Sequence, residues 1–478
     1  MEPKIIFDFF KEINKVPRPS KREEKIIKYL KETADKYGLG FKTDDYGNVL
    51  ISATATSGYE NSDGVILQAH MDMVCEKESN LEFDFETQPI ETYIDGDWMM
   101  AKGTTLGADD GIGIAMALAA AVDKNVEHGP LQLLFTRDEE SGLTGAFSLK
   151  PGFMSGKYLI NLDSEDEGEF FIGCAGGENT TATFTFESEP LEKGFVPLKI
   201  EIDKLKGGHS GDDINKNRYN AIKAMVRFIY SSMKKYDLRL IDISGGKLHN
   251  AIPRYSTAVI AVPEKNKEDI RVDFNVFAAA VEDEFHITET TTRFTMSSVN
   301  NYNLRYLKQE QAERFIRSLH ALHNGVLEMN QDIDGLVETS SNLASIKQNE
   351  DTIEVLVSQR SSTESALDNI GSIIEATFTL GGAKVEFSDR YPGWKPNTNT
   401  KILKVSVEAY DKLFGKKPIV RAIHAGLECG LFSTKYPELE MISFGPTLRE
   451  VHSPAERLLI PTVDMSWRLL VEILKNLK

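Results

Sequence analysis

Cysteine is scarce in this chain of 478 residues. There are three, Cys75, Cys174 and Cys429, far apart and without a CxxC pair. That excludes a disulfide framework, favours a reducing compartment, and leaves each thiol as a small buried residue. Basic charge is short as well, with 55 Lys and Arg against 73 Asp and Glu, a formal net charge of −18. Such a surface repels phosphate backbones and anionic lipid, so neither nucleic acid nor membrane is an expected partner. Long apolar runs are missing. The longest, Ile112 to Val122, is Ala-rich and too short to span a bilayer. The first residues, Met1 to Asp8, meet a charge every few positions and do not read as a signal peptide. The expectation is a soluble cytoplasmic protein. At 41% hydrophobic and 27% charged, a chain of this length is expected to fold as two domains.

Ser20 with Glu23 reads as a capping box ahead of Ile26, Ile27 and Leu30, and predicts a first helix ending near Gly38. Strand-like runs follow at 48–53, 64–68, 131–136 and 157–162, with a helix over 112–122. That alternation predicts an α/β domain with a central mixed sheet. Between about Leu191 and Trp394 strand and helix patterns recur in a similar order. Runs at 196–205 and 255–262 go with helices over 220–234 and 267–282. A strand-like run from His286, strands near Leu336 and at 353–357, and helices over 309–324 and 363–377 then repeat the order. This predicts an inserted α+β domain of two related halves. After Thr398 the α/β pattern returns with a helix through 404–407, strands at 419–420 and 441–443 and a closing helix after Pro461. The expected division is 1–190 with 395–478 for the first domain and 191–394 for the insertion.

The chemically suggestive residues fall at strand ends: His70 and Asp72 after 65–67, Glu139 and Glu140 after 131–136, and Asp163 after 159–160. In open α/β sheets ligands bind outside the carboxyl ends of strands, so residues far apart in sequence can share one crevice. Mixed imidazole and carboxylate donors suit zinc and its first-row neighbours. Each motif alone has a plain alternative. The segment Gly107 to Gly113 can be a solvated turn, or a cap in which Asp110 starts the following helix; Asp109 is the one expected at the metals. Glu139-Glu140 can be a solvated acidic loop, or a pair in which one carboxylate moves a proton while its neighbour binds metal. His452 can be an exposed loop histidine.

Taken together, HxD, GADDGxG, EE, NLDSE and EVHSP resemble the M20 family of co-catalytic zinc peptidases across essentially the whole chain. The longer strings QAHMDMV, GTTLGAD, GGHSG and HAGLECGL are similar to its aminoacyl-histidine dipeptidase (peptidase D) branch. The resemblance implies a zinc-peptidase catalytic domain interrupted by a lid. It implies one cation held by His70 and Asp163, another by Glu140 and His452, with Asp109 bridging both. Asp72 would orient His70, and Glu139 would be the general base. In the inserted region His209 resembles the lid histidine that steadies the tetrahedral intermediate, while Asn250 and Arg360 resemble lid groups that contact substrate. His424 and Glu428, four apart, could pair on one helix face, and by resemblance lie beside the substrate.

The activity implied by the resemblance is that of a metallodipeptidase acting on unblocked dipeptides, Xaa-His among them. It would use two divalent ions, zinc first with cobalt or manganese as alternatives. The competing readings are a tripeptide aminopeptidase or N-acyl amino acid deacylase on the same fold, and a non-catalytic peptide-binding scaffold. The expected partner is a small peptide, and the expected state a monomer or a homodimer.

Overall fold

The computed structural model describes residues 1–299 and 304–478. The chain divides into two compact units. One comprises 1–174, 394–422 and 427–478; the other comprises 175–393 with 423–426.

The first unit is built on an eight-stranded sheet. Its spatial order is Gly40–Thr43, Val49–Ala53, Leu131–Thr136, Val65–His70, Tyr158–Asn161, Glu440–Ser443, Glu169–Cys174 and Ile419–Ile423. The four strands from Leu131–Thr136 to Glu440–Ser443 run parallel, so their carboxyl ends share one rim. Val65–His70 is buried along its whole length, as a parallel strand covered on both faces must be. The helix Ala108–Val122 packs against that strand and is buried almost all round, which explains its continuous Ala-rich run in place of an amphipathic pattern. Strands from both ends of the chain complete the sheet, as the interrupted-domain expectation requires.

Two local expectations are overturned. The helix Glu24–Tyr37 does end at Gly38, which takes the left-handed conformation. Its start, however, is not a capping box: the Ser20 hydroxyl donates to Asp72, and the Glu23 carboxylate accepts from the Lys21 amide and from Arg137. Long-range partners outcompete the local cap. This is also not the first helix. Lys4–Ile13 precedes it, with Ile6, Phe9, Phe10 and Ile13 on its buried face at helical spacing.

The second unit carries a nine-stranded sheet: two β-α-β-β-α-β halves give eight strands, and the ninth, Gly325–Met329, pairs with Val337–Gln348 off that path. One half contains the strands Phe195–Asp203, Arg239–Gly246, Ser256–Pro263 and Arg293–Ser298, with helices Ala221–Lys235 and Lys267–Glu284. The other contains Gly176–Thr185, Val337–Gln348, Thr352–Ser361 and Lys384–Tyr391, with helices Gln309–Ala321 and Glu364–Leu380. In both, the first strand lies between the third and the fourth, and the halves join where Gly245 and Gly246 pair with Ile346 and Ser345. One apolar core, including Phe184, Phe228, Phe274, Phe315 and Phe378, runs beneath both halves.

The second half therefore takes its first strand from Gly176–Thr185, not from a run beginning at His286. The strand after His286, Arg293–Ser298, closes the first half instead. Gly176–Thr185 pairs along its length with Thr352–Ser361, and so the chain enters the second unit at Ala175, ahead of the break expected at 190. Periodicity identifies a strand but not its partner. Among the described residues no helix is long and apolar enough to cross a membrane.

Candidate metal centre

His70 is the last residue of its strand, Asp163 lies just past Tyr158–Asn161, and Glu139 and Glu140 lie just past Leu131–Thr136. The rim of the parallel strands thus brings these residues together, as strand-end placement predicts. Asp109 comes from the segment leading into the helix of Ala108–Val122, where its backbone is still non-helical. His452 comes from the loop joining the short strands Leu448–Arg449 and Arg457–Leu459, with a left-handed φ of 59°.

The arrangement has two halves that share Asp109. Its Oδ1 is 2.9 Å from His70 Nε2, which is also 3.4 Å from Asp163 Oδ1. Its Oδ2 is 3.2 Å from His452 Nε2, which is also 3.0 Å from Glu140 Oε2. Each half is therefore one imidazole, one terminal carboxylate and one oxygen of the shared carboxylate. Asp110 also lies near His70 and Asp163. Its oxygens are engaged elsewhere, accepting from the His70 amide at 3.3 Å and the Gly113 amide at 3.1 Å. Asp110 is thus the helix cap and Asp109 the group facing the histidines.

The donor set fits divalent cations. Carboxylates crowd together in a buried place where an uncompensated negative charge is costly. Burial raises Asp163 to about 7 and Glu139 well above the usual range, with neighbouring carboxylates adding to both. Hydrogen bonds that the Asp109 and Glu140 carboxylates accept raise the His452 imidazole to about 11. Glu140 Oε1 is buried without a hydrogen-bond partner. The ligand atoms of His70, Asp109 and Glu140, and those of His70, Asp110 and Asp163, lie close enough together that each group could hold a metal ion.

Behind these donors stands Asp72, fully buried, with Oδ1 at 3.5 Å from His70 Nδ1. It accepts from the Glu139 amide at 2.9 Å, the Glu140 amide at 3.2 Å and the Ser20 hydroxyl at 2.8 Å. Burial acts to raise its carboxyl, but His70, the Glu139 amide and Ser20 pull it down to about 2. A carboxylate so held fixes the ring of His70 and also the backbone of the Glu139-Glu140 pair. Ser20 thus serves Asp72 rather than a helix cap, and two further buried residues, Arg18 and Glu456, stand in no recognisable motif. The one available hint was that Glu456 follows His452 by four positions.

Glu428 belongs to the first unit, where its Oε2 accepts from Gln68 Nε2 at 2.6 Å and from Thr136 Oγ1 at 2.8 Å. Burial raises its carboxyl to about 8. His424 groups instead with the second unit, and the helix Glu428–Lys435 begins only after it, so the two do not share a helix face.

Within the second unit, His209 and Asn250 come from two segments tied together. Gly208 and His209 pair with Ile252 and Ala251, and the Ser210 amide donates to the Asn250 carbonyl at 2.8 Å. His209 Nδ1 accepts from the amides of Gly211 and Asp212, both at 3.3 Å. Amides can only donate, so the ring proton sits on Nε2, and burial together with Arg360 lowers its pKa and favours the neutral ring. Arg360 lies directly across from Ser340 and from Gly177 in the sheet. It is buried, its Nη1 donates to the Tyr391 hydroxyl at 3.0 Å, and its Nε has no partner. His424 Nε2 is 2.7 Å from Ser340 Oγ, and burial together with Arg360 pushes its imidazole down to about 3. Arg360, His209 and His424 thus form a polar group containing one permanent cation and two neutral rings, a setting that would receive an anion.

The cytosol non-specific dipeptidase of Escherichia coli (strain K12) is 41% identical over 477 residues, spanning 100% of this chain and 98% of that protein. The crystal structure of aminoacylhistidine dipeptidase from Vibrio alginolyticus is also 41% identical, with a TM-score of 0.94 over 99% of this chain and 97% of the other. Aminopeptidase PepT from Bacillus cereus ATCC 10987 shares the fold at 17% identity, with a TM-score of 0.59 over 99% of this chain and 98% of its own. The sequence model of peptidase family M20/M25/M40 matches residues 66–476, and with the paired imidazole and carboxylate half-sites in place the chain belongs to that family.

Proposed function

We propose that the protein is a cytoplasmic metallodipeptidase that hydrolyses unblocked dipeptides, Xaa-His dipeptides among them. The observation that carries the reading is the division of Asp109 between two equivalent donor sets, one around His70 and one around His452. The likeness in sequence and structure to dipeptidases over nearly the full length supports the substrate class. His70 and Asp163 would hold one cation and Glu140 and His452 the other, with Asp109 shared; zinc is the expected ion, and cobalt and manganese compete for the same donors. When bound, such cations polarise the scissile carbonyl and make water acidic enough to react at neutral pH.

Glu139 is the proton carrier. It takes one proton of the attacking water as the C–O bond forms and returns it to the amine nitrogen as the C–N bond breaks; the water's second proton leaves the new carboxyl group for the released amine, giving a carboxylate and an ammonium. Its amide is fixed by Asp72, so its carboxylate starts from a defined backbone position. His209, neutral with its proton on Nε2, is suited to donate to the oxygen that gains charge in the tetrahedral intermediate. Arg360 supplies a guanidinium fork for the C-terminal carboxylate of the substrate. Asn250 and His424 complete the substrate contacts, while Glu428 acts through Gln68 and Thr136.

Hydrolysis of β-Ala-His, Gly-His, Leu-Gly, N-acetyl-Leu-Gly and tri-Gly by chelated and metal-restored protein tests the reading. The expected outcome is metal-dependent cleavage of the three unblocked dipeptides and neglect of the other two. Cleavage of tri-Gly in preference would make it an aminopeptidase on tripeptides, and cleavage of the acetylated peptide in preference a deacylase. No cleavage with any metal would leave a binding scaffold.

A further inference from the structure

Two buried, oppositely charged side chains lie beside the metal centre without contributing a donor to it. Arg18 and Glu456 are 1% and 2% exposed. Taking an ion of either sign out of water costs several kcal/mol on the order of magnitude, so each must be compensated by what it binds. Both bind backbone. Arg18 Nη1 donates to the carbonyls of Met71 at 3.2 Å and Asp72 at 2.7 Å, and Nη2 donates to the carbonyl of Gly107 at 2.5 Å. Glu456 Oε2 accepts from the amides of Leu106 at 2.7 Å and Gly107 at 3.0 Å, and Oε1 accepts from those of Ala108 at 2.8 Å and Asp109 at 3.3 Å.

These contacts converge on the short stretch that delivers Asp109. Its amides are gathered by one carboxylate and its Gly107 carbonyl by one guanidinium. The fit is tight: Gly107 has a left-handed φ of 66°, and a Cβ there would stand 2.7 Å from Arg18 Nη2. A Cβ on Gly111 would stand 2.6 Å from the same atom, so two glycines of the GADDG string open the slot that the guanidinium fills. The same two side chains reach the neighbouring loops. Arg18 holds the carbonyls that come directly after His70, and Glu456 closes the loop that carries His452, its own amide donating to the Ser453 carbonyl at 3.0 Å.

We propose that Arg18 and Glu456 are positioning residues of the metal centre, which tie the loops bearing His70, Asp109 and His452 into one frame and thereby set the spacing of the donors that would hold two cations. The inference rests on the two-metal reading of Asp109. An apolar pair of similar volume would fill the space but leave the amides of 106–109 and three carbonyls unpartnered, which is why the frame needs ionic side chains with several bonding atoms.

Titration of the metal-free protein with Co²⁺, read by visible absorption and by competition with a chelator, tests it. In Glu456→Gln an NH2 group replaces one acceptor and faces amide donors. In Arg18→Lys a single ammonium cannot span both loops. Each variant is expected to weaken binding of the second Co²⁺ by about 10- to 100-fold and to change the visible band, because outer groups of this kind govern metal affinity through the ligands they orient. Folded variants with the wild-type two-step titration and spectrum would overturn the proposal. Asp109→Asn separates the two readings: if it binds both ions as tightly as the wild type, it is the two-metal reading that fails. Hydrogen exchange on the unaltered metal-free protein covers the case in which the variants do not fold. The amides of 106–109 are expected to be protected before any metal is added, and rapid exchange there would refute a prebuilt frame.

Discussion

Glu139 shows how much and how little one residue's surroundings can be read from sequence. An EE pair after an apolar run suggests a proton carrier beside a metal ligand, and its place at a strand end was legible. That Asp72 holds the amides of both glutamates, and that burial with nearby carboxylates raises the Glu139 carboxyl, depends on strands distant in the chain. Replacing Glu139 with Ala removes the proton carrier but no donor. The expected result is a fall in turnover of about 10²- to 10⁴-fold, with two metal ions per chain still found by elemental analysis. Loss of a metal along with activity would instead make Glu139 a ligand. Ser20 teaches the converse. A hydroxyl three residues before a glutamate fits a local capping box, yet here it serves a buried carboxylate from elsewhere in the fold. Local hydrogen bonds in an N-cap are worth about 1 kcal/mol, a margin that a buried charged acceptor exceeds.

Elements were more legible than their partners. The helix expected from Asn220 is Ala221–Lys235, and its start is a genuine cap: Asn220 Oδ1 accepts from the amides of Ile222 at 2.9 Å and Lys223 at 3.2 Å. The same side chain donates through Nδ2 to the Leu343 carbonyl at 2.8 Å, fastening helix to sheet across the join of the two halves. Asn220→Ala loses the cap and leaves a buried carbonyl unsatisfied, and is expected to cost about 1–3 kcal/mol. The check is a lowered urea midpoint with unchanged affinity for Co²⁺, since the proposed metal donors lie in the other unit. That the insertion consists of two related halves was legible. The pairing was not, because Gly176–Thr185 reaches past the whole first half to join Thr352–Ser361, and no local pattern reports such a separation.

At the scale of the molecule, a unit of 175–393 with its own apolar core is joined to one that carries all five proposed metal donors. Metal binding to the folded state raises stability by RT ln(1 + [L]/Kd), about 4 kcal/mol when the ion is present at a thousand times Kd. Scanning calorimetry with and without chelator is therefore expected to show two transitions, of which chelation lowers only the one belonging to the metal-bearing unit. One transition that shifts as a whole would mean that the units unfold together. The α/β class, the insertion and the candidate donor residues were legible in the sequence alone, because burial patterns and donor types are properties of short segments. The tertiary structure alone decided that Asp109, rather than Asp110, faces both histidines, that Glu428 serves Gln68 and Thr136, and that Arg18 and Glu456 meet on the Asp109 loop. Those outcomes depend on where backbone amides and carbonyls from distant segments come to rest, and every residue carries the same backbone groups whatever its side chain.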